Sequence, residues 1–163
     1  MGSEQERAEI VETLDKHRGF LRHTVRDLTD EQAKQRTTVS ELCLGGLIKH
    51  VSLVEARWMR FAVGGAEAMQ EGRGEWAAEF RMADGDTLAG LLDEYEKVAA
   101  RTDELVGTLD LDAMQALPKA PWFPPDGRWS VRRTLLHVIA ETAQHAGHAD
   151  ILREAIDGAK TMG

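Results

Sequence analysis

All four prolines of this 163-residue chain, Pro118, Pro121, Pro124 and Pro125, fall in one short stretch. Proline lacks the N–H that a helix interior needs and clashes with the preceding turn, so this stretch reads as an extended crossover. The rest of the chain is free to be helical, and four long segments carry the helical period. The first opens on Ser3-x-x-Glu6, a capping-box pattern, and is predicted to reach about Leu28, with Ile10, Leu14, Leu21, Val25 and Leu28 in one stripe. Thr29-Asp30-Glu31-Gln32 caps a short turn that ends near Gln35. A second long helix is expected from about Ser40 to Val63, with Leu44, Leu47, Val51, Val54, Trp58 and Phe61 inward, stopped by Gly64-Gly65.

Residues 64–86 are rich in glycine and charge and read as a loop, with room for a short helix around Trp76 and Phe80. A third helix starts at Asp86-Thr87 and turns Leu88, Leu91, Leu92, Tyr95, Val98, Ala99, Thr102 and Val106 inward. Ser130 caps a fourth, which ends at Gly158. No apolar–polar alternation suggests a sheet, and neither an internal repeat nor a domain boundary stands out. The expected fold is an all-α four-helix bundle with long crossover connections, one domain over residues 1–163.

Charge narrows the class of partner. With 28 acidic against 20 basic residues, the chain lacks the clustered basic face that phosphate backbones require, so no nucleic acid is expected. No uninterrupted apolar run is long enough to span a membrane. The polar, acidic start, Met1 to Glu6, is unlike a signal peptide. The lone Cys43 excludes an internal disulfide framework, fits a reduced compartment and reads as a small core residue. These features describe a soluble, cytoplasmic, bacterial protein, monomer or homodimer, whose partner is a small molecule.

Chemistry concentrates in the fourth helix, from His137 to Asp150. At about 100° per residue, Glu141 and His145 stand about 40° apart around the axis, so both can reach one ion. His137 lies one turn before Glu141 and His148 three residues after His145, giving four candidate ligands along one flank. Buried together they need a common partner, and a divalent cation satisfies several at once. A further ligand should come from a facing helix, and His50 is the best candidate, at the border of the second helix's apolar stripe. Gly45-Gly46 ahead of it allow close backbone approach. The competing reading is that such histidines are solvated or hydrogen-bonded within the core. It holds for His23, and His17 reads as a hydrogen-bonded core or pocket-lining group rather than a ligand.

The segments Leu44-Gly45-Gly46-Leu47-Ile48-Lys49-His50-Val51-x-x-Val54-Glu55-x-x-Trp58 and Trp129-Ser130-Val131-Arg132 through Asp150-Ile151-Leu152-Arg153-Glu154 resemble the DinB/YfiT-like superfamily of metal-binding four-helix bundles. The stretch from Gln144 to Asp150 is similar to an actinobacterial branch labelled mini-circle protein. The resemblance implies one ligand from the second helix and two, four residues apart, from the fourth: His50, Glu141 and His145. Many members carry a His-x3-His pair where this chain has Glu141 and His145; a Glu-x3-His version occurs in the related mycothiol-dependent maleylpyruvate isomerases. His148 and His137 are left as second-shell groups or alternative ligands.

Relatives include mycothiol and bacillithiol S-transferases. The resemblance therefore implies a divalent metal, zinc first with nickel, iron or manganese as alternatives, which activates a low-molecular-weight thiol. Trp58, Trp122, Phe123 and Trp129 are candidates for the pocket wall, and Arg132 and Arg153 for carboxylate binding, against the plainer readings of core packing and surface salt bridges. A thiol S-transferase or isomerase-like enzyme leads. A non-catalytic metal-binding stress-response protein and a metal-dependent hydrolase are the alternatives.

Overall fold

The computed structural model describes residues 2–161, and their fold is an all-α bundle. Four long helices, α1 (Glu4–His23), α3 (Leu44–Gln70), α4 (Leu88–Thr108) and α5 (Val131–Asp157), are joined by connections that carry a short helix α2 (Asp30–Lys34), a 3₁₀ helix (Trp76–Phe80) and two short strands. Helix α3 packs on both α4 and α5, and α1 closes the bundle against α5 and, less extensively, α4.

Side-chain caps start most of these helices where the sequence places them. Ser3 Oγ accepts from the Glu6 amide, Thr29 and Gln32 form a reciprocal capping box, Thr87 accepts from Gly90 and Ser130 from Arg133. Gly158 ends α5 in the left-handed region at φ 77°. The inward stripes meet in two apolar cores. One gathers Leu14, Phe61, Val106 and Leu135, the other Leu21, Leu47, Tyr95 and Leu152, all buried.

Three boundaries differ from the sequence expectation. Helix α1 stops at His23, not Leu28, because the chain turns through Asp27 at φ 58°; Val25 nevertheless stays in the core. Helix α3 starts at Leu44 rather than near Ser40, whose hydroxyl pairs with Thr38 and accepts from the Leu42 amide instead of capping a helix. Gly64-Gly65 does not end α3. The backbone breaks at Gly65 alone (φ 74°, ψ −162°), and helix resumes to Gln70, placing Met69 in the core. The glycine takes the positive φ, so the chain is redirected without being unwound.

The proline-bearing connection is extended, as expected, yet it also holds a two-stranded antiparallel hairpin that the sequence did not announce. Strand β1 (Met114–Ala116) pairs with β2 (Arg128–Ser130), Gln115 opposite Trp129. Three-residue strands are too short to display a two-residue period. The hairpin leads directly into α5, and backbone bonds from Val131 and Arg132 to the Ala113 and Leu111 carbonyls lock that junction.

One polar cluster sits inside this apolar frame. The guanidinium of Arg18 on α1 makes a two-pronged contact with Glu55 on α3, and its remaining nitrogen bonds Asp15 at 2.9 Å and Asp103 of α4 at 3.0 Å. Arg18 is 2% exposed and Glu55 not at all. Removing one partner strands a buried charge, so Glu55→Ala is expected to cost about 3–5 kcal/mol in urea unfolding, whereas the paired change R18M/E55L should recover most of that loss.

Candidate metal centre

The candidate ligands converge where α3 faces α5. His50, one turn before the Val54–Glu55 stretch of α3, meets Glu141 and His145 from successive turns of α5. One ligand atom from each residue lies within 4.8 Å of the others. The rings of His50 and His145 stand edge to face with centroids 4.9 Å apart, and His145 Nε2 is 3.6 Å from Glu141 Oε2. Two imidazoles and a carboxylate from two rigid helices fit a divalent ion and leave coordination positions open, the arrangement of a reactive rather than a closed structural site.

Electrostatics suit this use. Burial, followed by the nearby His145, lowers His50 to about 4, so its ring is neutral and holds a lone pair at neutral pH. The contact with His145 holds the Glu141 carboxyl below the usual carboxylate range despite partial burial. Burial likewise lowers His137.

The two remaining histidines of the α5 flank border the triad from opposite sides. His148 Nδ1 is 3.3 Å from His145 Nδ1, on the ring edge away from Glu141. His137 Nε2 is 3.7 Å from Glu141 Oε1, whereas His145 Nε2 meets Oε2. Each therefore touches a ligand without joining the three-residue cluster. His17 is elsewhere: half-buried on α1, it packs against Phe20.

A cleft of about 670 Å³ opens beside the triad, and Glu141 and His137 form part of its wall. Trp58, Trp76, Trp122 and Phe123 supply apolar surface, with Trp122 75% exposed at the mouth. Trp58 stacks on Trp129 at 4.8 Å and meets His137 edge-on, so Trp129 backs the wall from the hairpin rather than lining it. Neither expected carboxylate-binding arginine reaches the cleft. Arg132 pairs with Glu6 and Asp112 at the start of α5. Arg153 is buried, not on the surface, and donates to the Thr24 and Arg26 carbonyls and to Asp157. Cys43 is a buried residue that precedes α3, away from the triad.

The sequence did not single out Glu79. It comes from the 3₁₀ helix, is 4% exposed and ion-pairs with Arg57 of α3. On the same segment Phe80 stacks on the His50 ring at 3.8 Å and Trp76 meets it edge-on at 5.3 Å. The Trp76-x-x-x-Phe80 spacing was the available signal, since two aromatics one turn apart mark a segment that folds back onto the core. The glycines before His50 make room for it: a Cβ on Gly46 would collide with the Phe80 carbonyl, and one on Gly45 with the Met82 side chain.

Comparison with known proteins agrees with this architecture. A family model described as mycothiol-S-transferase matches residues 9–158. No curated protein matches the chain. Among solved structures, the crystal structure of a conserved protein from Enterococcus faecalis superposes with a TM-score of 0.67 at 15% identity, over 93% of this chain and 97% of that one, and so shares the fold.

Two outcomes test the geometry. His145→Ala should abolish stoichiometric zinc binding in a chelator competition titration, whereas His148→Ala should weaken it by about 10–100-fold and keep the stoichiometry. Gly46→Ala should lower stability by about 1–3 kcal/mol in urea unfolding, because the Phe80 backbone must move.

Proposed function

Because the chain belongs to the mycothiol-S-transferase family, we propose that it is a divalent-metal-dependent thiol S-transferase, with zinc held by His50, Glu141 and His145. The observation that carries this reading is the junction of triad and cleft: Glu141 belongs to both, so the open side of the cluster faces an aromatic-walled space of substrate size. When bound, such an ion supplies Lewis acidity that lowers the pKa of a low-molecular-weight thiol toward neutrality.

The chain's own residues then do three things. The α3–α5 interface fixes the three ligands on rigid helices, so little rearrangement is needed to bind the ion. His137 and His148 contact the outer edges of Glu141 and His145 and restrict their rotation. Trp58, Trp122 and Phe123 bury the apolar body of an electrophile and exclude water, which would otherwise compete with the thiol as nucleophile. The partners in this reading are a mycothiol-type thiol and a small electrophile.

The test is conjugation of mycothiol to a model electrophile by the zinc-loaded protein. Turnover should vanish on chelation and return when zinc is restored. Trp122→Ala should raise KM for the electrophile several-fold with kcat little changed, because it removes wall rather than ligand. Metal-dependent turnover that persists without any thiol would replace the transferase by a hydrolase. Stoichiometric zinc with no turnover would leave a metal-binding protein without this activity.

A further inference from the structure

Two buried polar atoms near the triad have no hydrogen-bond partner: Nδ1 of His50 and Oε2 of Glu79. They face one another at 3.7 Å, just beyond hydrogen-bond range. Both side chains are almost sealed from solvent, at 2% for His50 and 5% for Glu79. A buried carboxylate oxygen and a buried ring nitrogen left unmatched are each costly. A proton on Nδ1 relieves both at once, and a small closing of the gap completes the bond.

The surroundings decide which of the two groups donates and which accepts. Arg57, itself buried, grips the other oxygen of Glu79, and its guanidinium lies over the Trp76 ring. With Arg57 on one oxygen, the other faces His50 as an acceptor. Phe80 stacked on His50 and Trp76 against its edge keep the ring from turning over. With Nδ1 committed to Glu79, Nε2 is the nitrogen left to offer a lone pair to an ion shared with Glu141 and His145.

We propose that Glu79 is a positioning residue for the metal centre: anchored by Arg57, it fixes His50 as the Nδ1–H tautomer and so aims Nε2 at the ion. The inference rests on the reading of His50, Glu141 and His145 as ligands. It gives the 3₁₀ helix, which lies outside the bundle, a part in building a site whose ligands all come from bundle helices. Carboxylate partners of this kind raise the basicity of a ligating imidazole as well as orienting it.

The discriminating variant is E79Q, which keeps size and shape. Arg57 can face only the amide oxygen, so the NH₂ turns to His50 Nδ1 and demands an acceptor there. The ring should switch to the Nε2–H tautomer, which has no lone pair to offer the ion. In long-range ¹H–¹⁵N spectra of metal-free protein labelled at histidine, wild type should show His50 protonated at Nδ1 and E79Q at Nε2. In zinc competition titrations, E79Q should bind about 10–100-fold more weakly than wild type, as loss of such a partner does elsewhere. E79A should weaken zinc in the same direction.

A role in packing alone predicts otherwise, since a glutamine fills the same volume. A wild type with His50 protonated at Nε2 would overturn the proposal, as would an E79Q that matches wild type in zinc affinity within about twofold. Thermal unfolding of each metal-free variant confirms that folded protein is being compared, and if E79A does not fold, the wild-type tautomer and E79Q decide alone. A wild type that binds no zinc would overturn the metal reading of the triad, whereas the tautomer in metal-free protein still decides the role of Glu79.

Discussion

A charged pair withdrawn from water, Arg18 with Glu55, holds this bundle in register. Apolar stripes attract without direction and tolerate small slips along or around a helix. A guanidinium fork against a carboxylate tolerates far less, because both bonds are lost when either helix turns. Arg18 also reaches Asp103, so the same group relates α1 and α3 to α4. Glu55 follows His50 by little more than a turn of α3. The rotation that buries Glu55 against α1 therefore also determines how His50 is presented to α5.

On that frame the candidate site divides into two kinds of structure. The candidate ligands stand on the long helices α3 and α5, whose packing fixes their spacing. The cleft walls combine helix residues, Trp58 of α3 and His137 and Glu141 of α5, with connections: the 3₁₀ helix contributes Trp76, and the segment between α4 and α5 contributes Trp122 and Phe123. Gly45 and Gly46 let the first connection lie directly against α3. The hairpin anchors the second by placing Trp129 on Trp58. Pocket shape thus depends on the connections as well as on the helices that carry the candidate ligands.

This division also explains what could be read from the amino-acid order. Helical spacing made His137, Glu141, His145 and His148 legible as one flank, and the border of an apolar stripe pointed His50 across the bundle; the family resemblance narrowed the set to His50, Glu141 and His145. The caps at Ser3, Thr29, Thr87 and Ser130 were legible for the same local reason. The end of α1, the start of α3 and the helix beyond Gly65 were not. At each, a backbone conformation settled by tertiary contact outweighed a residue preference. Met69 in the core repays continuing α3 past a glycine pair that would commonly end it. Arg153 looked like a surface charge, yet it is spent on carbonyls left open by the turn after α1. Glu79 was the largest omission. Its meaning lies in two neighbours from α3, Arg57 and His50, and no sequence interval relates it to either.

The three candidate ligands differ in their access to solvent: the His50 side chain is 2% exposed, His145 13% and Glu141 29%. For an ion in exchange with water, this gradient sets an order of events. Capture would begin at the α5 carboxylate, the most exposed of the three, and end at His50 beneath its aromatic cover. Escape would run in reverse, with the buried imidazole the last to let go. A chelator would then have to wait for the ion rather than pull it out.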